Sequence, residues 1–205
     1  MKNLTNVMVW LLVPLFLVPA IAVGQKVKIV SGNFEFLRGQ RNLNVVFDYA
    51  GATFYNEMMS EQDYINKRID EITRDKGADE AEAWRKDWDY SKSTTFVNKF
   101  LASMNKNLAI KSSTDEGDAT YTVIVKTTWI YPGWFAGVMA QAAKVSTILR
   151  FVETADHSKV LLEIHSTKAP GNIQFVGIPN NNDRMSEGYA KTGKTLAALI
   201  NKKLN

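Results

Sequence analysis

Cysteine is absent from this chain of 205 residues, and histidine occurs only twice. Without thiols the chain has no disulfide, thiolate zinc site, iron–sulfur cluster, thiol nucleophile or lipidated cysteine. Two histidines also leave little material for a histidine metal site or a catalytic triad. We therefore expect no bound metal and no cofactor, and the sequence identifies no catalytic residue.

A strong charge bias is missing as well. The net charge is +4, with 22% charged and 45% apolar residues, which is the composition of an ordinary globular protein. Basic residues alternate with acidic ones, as in 66–71 and 84–87, and no basic cluster is interleaved with aromatic residues. This pattern is typical of solvated helix faces, so we expect no nucleic-acid partner.

The N-terminus has the features of a secretory signal peptide. Lys2 is followed by the apolar run 7–18 and by a segment of mostly small residues that ends at Gly24. A basic start, an apolar stretch of this length and small residues at the exit are typical of such signals. We predict a signal peptide over 1–24, and the sequence leaves open whether cleavage follows Ala22 or Gly24.

An uncleaved membrane anchor is the alternative interpretation of the same segment. Its apolar part, 7–23, is marginal in length for a span and contains Pro14 and Pro19. We favour cleavage, which leaves one domain over 25–205 and no transmembrane span. Because an exported chain without cysteine suits a bacterial periplasm or exterior, we expect a periplasmic or extracellular protein of a Gram-negative bacterium.

Residue periodicity predicts both strands and helices. Apolar and polar residues alternate, or β-formers cluster, in stretches that predict strands over 26–31, 43–49, 120–131, 145–154 and 160–167. Apolar residues at helical spacing predict helices from Ser60 to Gly77, from about Asp79 through Trp84 and Trp88, from 94 to 108 and from Asp183 to Leu204.

Two connecting segments complete the predicted fold. Segment 32–40 contains three large apolar residues and is predicted to form a second short ribbon, and segment 153–159 a hairpin turn. Helices bunch in the first half of the chain and strands in the second. We therefore predict an α+β fold, with an antiparallel β-meander sheet packed against several helices and a long C-terminal helix.

One nucleotide-binding motif occurs in the sequence. Residues 188–195 satisfy the pattern G-x-x-x-x-G-K-[ST] through Gly188, Gly193, Lys194 and Thr195. A phosphate-binding loop of this type needs a strand before it and a helix after it. Because a polar loop and a helix start precede the match here, we judge the motif a decoy. We predict a core helix instead, in which Gly193 lets the helix approach the sheet closely.

Two other groups of polar residues are weak candidates. Glu163 and His165 share one face of a predicted strand, where they could serve acid–base chemistry. A solvated strand face explains them equally well, and we favour that interpretation. The run 180–183 offers oxygen ligands to calcium but lacks the spacing of a calcium loop, so we predict a capped loop.

The uncharged segment 127–143 is more informative. It contains Trp134, Phe135 and Met139, and Pro132 with Gly133 excludes a continuous helix or strand. We favour burial of the segment under the helices, because aromatic side chains usually supply core area. The alternative is an apolar contact surface formed by Trp134, Phe135 and Met139.

Five stretches follow one another in a recognisable order, namely 36–49, 121–128, 132–133, 151–154 and 187–194. In this order they resemble a group of uncharacterised exported proteins from Bacteroidetes-type bacteria. The resemblance implies a Gram-negative envelope setting and a recurring terminal helix around Gly188 and Gly193. Because the group has no assigned activity, the resemblance transfers no functional residue.

These observations favour a non-enzymatic binding domain of the cell envelope. Its expected partner is an envelope protein or an apolar or glycan ligand. The alternative is a carboxylate-dependent hydrolase or lyase that acts on envelope carbohydrate, for which Asp48, Glu153 and Glu163 are available. Two carboxylates about 5–10 Å apart in a cleft would favour the enzyme, whereas an exposed aromatic patch or an apolar groove would favour binding.

Overall fold

The structure of the protein is a computed structural model that describes residues 24–136, 139–171 and 181–204. The predicted signal peptide, 1–24, lies outside these residues except for Gly24. The strands are β1 (Lys26–Gly32), β2 (Asn42–Asp48), β3 (Thr53–Phe54), β4 (Lys111–Ser113), β5 (Tyr121–Tyr131), β6 (Trp134–Ala136), β7 (Met139–Gln141), β8 (Lys144–Glu153) and β9 (Asp156–Pro170). The helices are α1 (Glu61–Lys76), α2 (Ala78–Tyr90), α3 (Phe96–Asn105) and α4 (Asn181–Leu204).

Capping residues set the ends of α1 as the sequence predicts. The Ser60 side chain accepts a hydrogen bond from the Asp63 backbone N–H at 3.1 Å, which satisfies one of the free donors of the first turn. The Gly77 N–H donates to the Thr73 carbonyl at 3.0 Å and ends the helix. The third predicted helix, 94–108, is shorter than expected at both ends: a π-helical turn over Ser91–Thr95 joins α2 to α3, and α3 ends at Asn105.

The main sheet has seven strands in the order β1-β9-β8-β5-β2-β4, and β3 pairs with β5 beside β2. The α+β class and the long C-terminal helix are confirmed. The β5, β8, β9 and β1 strands are antiparallel, as predicted, but β2 pairs in parallel with both β5 and β4. The sheet is therefore mixed, because the helical connection α1–α3 is long enough to return the chain in the same direction.

Two connections differ from the sequence prediction. Segment 32–40 is not a ribbon: it contains a 3-10 turn over Glu35–Leu37, which places Phe34 and Leu37 in the core. The turn between β8 and β9 is confined to Thr154 and Ala155, since the strands pair out to Glu153 and Asp156. Segment 32–40 forms a 3-10 turn because this turn buries apolar side chains. The second turn is short because the β8–β9 pairing extends to Glu153 and Asp156.

An aromatic column connects the sheet to the helices. The ring of Phe54 stacks on Tyr64 with centroids 4.4 Å apart, and Trp88 contacts both rings. Phe96 lies 6.0 Å from Trp88 and stacks on Tyr189 of α4 at 4.8 Å. All five side chains are fully or almost fully buried. Among the described residues, no helix is long and apolar enough to cross a membrane.

Candidate functional site

The nucleotide-binding motif lies entirely inside α4. Residues 188–195 continue the helix without interruption, and Lys194 is exposed while Thr195 donates to the Gln25 side chain at 2.8 Å. The prediction of a helix through this segment is confirmed. Backbone N–H groups in a helix interior bond to carbonyls one turn earlier, so they do not form the cradle that a phosphate requires.

The two glycines of the motif let α4 approach its neighbours. A Cβ at Gly188 would lie 2.8 Å from Val145 Cγ2 in β8, and one at Gly193 would lie 2.4 Å from the Phe100 carbonyl oxygen in α3. Gly188 therefore makes the close contact with the sheet that the sequence assigned to Gly193. The prediction was wrong about Gly193, which packs against α3, because spacing alone does not show which neighbour a helix face meets.

Glu163 holds a three-residue network on the sheet face opposite the helices. Its carboxylate accepts a hydrogen bond from Arg150 Nε at 2.7 Å and contacts His165 Nε2 at 2.8 Å. These hydrogen bonds from Arg150 and His165 hold the pKa of Glu163 below its usual range, against the smaller effect of burial. A carboxylate held in its charged form in this way is a poor proton acceptor near neutral pH.

Replacing Glu163 by glutamine is expected to flatten the acid limb of the stability profile. A lowered carboxyl pKa stabilises the folded state above the unfolded value of about 4.3 and loses that effect as the pH falls through the folded value. We expect Glu163→Gln to cost about 1 kcal/mol or less at pH 7 and nothing near pH 2. Urea titrations from pH 7 to pH 2 test this, with the exposed Glu57→Gln as control. A constant cost across that range would contradict it.

The three carboxylates considered for hydrolysis lie in three separate ion pairs. Asp48 pairs with Lys126 at 2.7 Å, Glu153 with Lys159 at 2.5 Å and Glu163 with Arg150 at 2.7 Å. Asp48 and Glu163 stand on β2 and β9, three strand spacings apart. Their backbones are therefore roughly 14 Å apart, farther than the about 5–10 Å that separates the two carboxyl groups of a glycosidase.

The proposed apolar surface falls on the short hairpin of β6 and β7. Trp134 is 42% exposed, and its indole N–H donates to the Gln141 side-chain oxygen at 3.0 Å. Phe135 and Met139 belong to these two strands, but their side chains lie outside the described part of the structure. The expectation of burial was wrong for Trp134, because the hairpin carries this residue away from the buried Pro132 and Gly133.

A groove opens beside this hairpin, between α1, the end of β3 and the start of α4. We call it the arginine groove; its volume is 440 Å³, and it is lined by Tyr55, Arg68, Glu71, Gly133, Trp134, Asn181 and Arg184. This volume lies within the range of about 300–1,000 Å³ that is usual for small-molecule sites. It continues into a second cavity of 540 Å³ that shares Arg68, Glu71 and Asn181 and reaches Trp84.

Tyr55 enters the groove from a strained backbone. Its φ of 57° lies in the left-handed region, which non-glycine residues rarely adopt. Two hydrogen bonds to β5 hold it there: its N–H donates to the Ile130 carbonyl at 3.0 Å, and its carbonyl accepts from Trp129 Nε1 at 2.7 Å. Strain of this kind persists only where the surrounding structure enforces it, and it is concentrated at binding and catalytic sites.

The two guanidinium groups of the groove are incompletely paired. Arg68 donates from Nη1 to Glu71 at 2.5 Å and lies over the Trp84 ring, whereas Arg184 donates from Nη2 to the Asn181 side chain. Nε of each arginine is buried without an acceptor among the described residues. Burial, and next to it the charge of Arg68, lowers the pKa of Arg184. No carboxylate of the described residues forms an ion pair with Arg184.

Sequence reasoning did not identify this groove. Its residues come from positions 55, 68, 134 and 184, which no local spacing relates to one another. Arg68 was interpreted as part of a solvated helix face with alternating charges. Arg184 lies in the first turn of α4, beside the predicted cap Asp183, so local sequence gave no reason to select it.

Comparison with known proteins shows no family for this chain. No family profile and no curated protein matches it. Similar solved structures include the PelC dodecamer from Paraburkholderia phytofirmans, 14% identical with a TM-score of 0.35, covering 84% of this chain and 96% of that chain. A leucine-to-methionine variant of the same dodecamer is 11% identical with a TM-score of 0.34 and the same coverage. Such a distant likeness says nothing about what this chain binds.

Proposed function

We propose that this protein is an exported cell-envelope domain that binds a ligand in the arginine groove and does not transform it. The observation that carries this proposal is Trp134, a large aromatic side chain that stays 42% exposed at the wall of a groove containing two guanidinium groups. Exposed aromatic surface beside convergent polar groups is characteristic of binding sites.

A saccharide is the ligand class that suits this groove best. Trp134 offers an exposed aromatic surface that its hydrogen bond to Gln141 holds in place, and Tyr55 also lines the groove, with the Lys67 ammonium 4.8 Å from its ring centroid. Arg68, Arg184 and Asn181 add hydrogen-bonding groups for hydroxyl or carboxylate oxygens. The alternative ligand is an envelope protein, and calorimetric titration with oligosaccharides distinguishes the two classes.

Binding is favoured over hydrolysis by the state of the candidate carboxylates. Asp48, Glu153 and Glu163 each form an ion pair with a lysine or arginine side chain. None of the three lines the arginine groove. Glu71, the acidic residue in the groove, is itself paired with Arg68 at 2.5 Å. A general acid needs a carboxyl group that retains its proton near neutral pH, whereas the hydrogen bonds from Arg150 and His165 hold the pKa of Glu163 below its usual range.

The signal-like N-terminus supports a location in the cell envelope, where saccharide ligands occur. The basic start, apolar run and small-residue exit of 1–24 favour a cleaved signal, which would bring the groove into contact with envelope polymers. Protein recovered from the exported fraction is therefore expected to begin at Val23 or Gln25.

Calorimetric titration of that exported protein with oligosaccharides tests the proposal. We expect a neutral or acidic oligosaccharide to bind, and Trp134→Ala to weaken binding about tenfold because a stacking surface is lost. Tyr90→Ala, which removes another exposed aromatic ring that lines neither the groove nor the adjoining cavity, serves as the matched control and should leave affinity unchanged. Absence of saccharide binding, or equal affinity for the wild type and Trp134→Ala, would overturn the proposal and leave a protein ligand as the remaining class.

A further inference from the structure

We propose that Arg184 and Arg68 together form a seat for a single carboxylate group, so that the arginine groove selects acidic over neutral saccharides. This inference rests on the proposed function of the groove and names the chemistry of its ligand. The residues of the seat come from two helices, α1 and α4, that both line the groove.

The seat has hydrogen-bond donors that the protein leaves unused. A guanidinium carries five N–H donors in a planar fork. Among the described residues, Arg68 uses one of its nitrogens on Glu71 and Arg184 uses one on Asn181. Both Nε atoms are buried without an acceptor. Because atoms without accessible surface are out of a ligand's reach, the donors for an incoming oxyanion are Arg68 Nη2 and Arg184 Nη1, which have no hydrogen-bond partner among the described residues and are not fully buried.

The charge of the groove favours a monoanion. The residues that line the groove itself are Arg68 and Arg184 against one acidic residue, Glu71, which leaves one positive charge in excess there, whereas the adjoining cavity adds the charged residues Arg74, Asp75, Lys76, Glu80 and Asp87. A carboxylate neutralises that excess, whereas a doubly charged phosphate would leave an excess of negative charge close to Glu71. The guanidinium fork also matches the geometry of a carboxylate in a bidentate pair.

The aromatic walls indicate that the carboxylate is carried on a ring-shaped molecule. Tyr55 and Trp134 line the same cavity as the two arginines. A sugar acid combines an apolar C–H face for such surfaces with one carboxylate for the seat. D-Galacturonic acid and D-galactose form a suitable pair of probes, because they differ only in the group at C6.

The test compares the affinities of these two probes in calorimetric titrations of the full protein. In the wild type we expect galacturonate to bind at least about tenfold more tightly than galactose. Arg184→Gln should abolish this preference, and Arg184→Lys should retain only part of it because the charge remains without the fork. Lys191→Gln removes the same charge from an exposed position of α4 and should leave the preference unchanged. Circular dichroism melts verify that each variant is folded.

The outcomes separate the seat from the function of the groove. Equal binding of both sugars by the wild type, or an unchanged preference in Arg184→Gln, would overturn the seat while the binding function stands. If neither sugar binds, the function as a saccharide site fails. NMR of the arginine Nε–H groups during an acetate titration then decides the seat alone: shifts at Arg184 and Arg68 that are absent in Arg184→Gln would support it, and unchanged signals would overturn it.

Discussion

Replacing Trp88 by alanine is expected to lower the free energy of unfolding by about 3–5 kcal/mol, the usual effect of deleting a buried tryptophan. Trp88 is fully buried, and its ring lies 5.3 Å from Tyr64 and 5.7 Å from Phe54. Its indole N–H donates to the Glu61 side chain at 2.9 Å. Alanine would leave a cavity at the centre of the aromatic column and remove that hydrogen bond. The loss is a large share of the about 5–15 kcal/mol that stabilises a typical domain.

Urea unfolding followed by far-UV circular dichroism measures this effect without relying on tryptophan fluorescence. Tyr90→Ala is the matched control, since Tyr90 ends the same helix and is 59% exposed. Its substitution should change the free energy of unfolding by no more than about 0.5 kcal/mol. Trp88→Phe keeps an aromatic ring in the column and should cost less than alanine. A loss below about 1 kcal/mol in Trp88→Ala would show that the column does not support the helices as described.

Gly193→Ala is expected to destabilise the protein by about 1–3 kcal/mol, although alanine is the better helix former. In an open helix interior this change would stabilise by about 1 kcal/mol. Here the new Cβ would lie 2.4 Å from the Phe100 carbonyl oxygen, which belongs to the backbone of α3. Because a backbone atom has no rotamer to adopt, α3 and α4 must move apart and lose packing along their contact.

The neighbouring Lys194 supplies the control for this experiment. Lys194→Ala lies one position along the same helix on its exposed side, so it should change the free energy of unfolding by no more than about 0.5 kcal/mol. Both variants are compared with the wild type by urea denaturation at one pH. Stabilisation by Gly193→Ala would mean that α3 and α4 are not in close contact at this position.

Local elements of the fold were predictable because each has a short-range cause. Ser60 and Gly77 delimit α1 through hydrogen bonds within its own first and last turns. Trp84 and Trp88 lie one turn apart on α2, which the sequence spacing predicts directly. The prediction of α4 through 188–195 followed from apolar residues at helical spacing. This spacing was the better guide to the segment than the nucleotide-binding motif, which matches the same residues.

Local sequence patterns predicted only some of the residues in the Glu163 network and in the arginine groove. Glu163 and His165 were correctly predicted to be neighbours on one strand face. Arg150 lies on another strand, and only the β8–β9 register places it opposite Glu163. Trp134 was recognised as a member of an unusual apolar segment, and its exposure depends on the hairpin that carries it. Arg68 and Arg184 are separated by more than a hundred residues, so no spacing in the chain connects them.

The sequence by itself determined the absence of thiol chemistry, the signal-like N-terminus, the α+β class and the positions of most helices and strands. Composition and periodicity act over a few residues, where hydrogen bonding and side-chain direction are set by near neighbours. Only the tertiary structure decided the parallel pairing of β2 with β5, the contact of Gly193 with α3 and the meeting of Arg68 with Arg184. Each of these depends on how distant elements bury apolar surface together, a result that no local pattern contains.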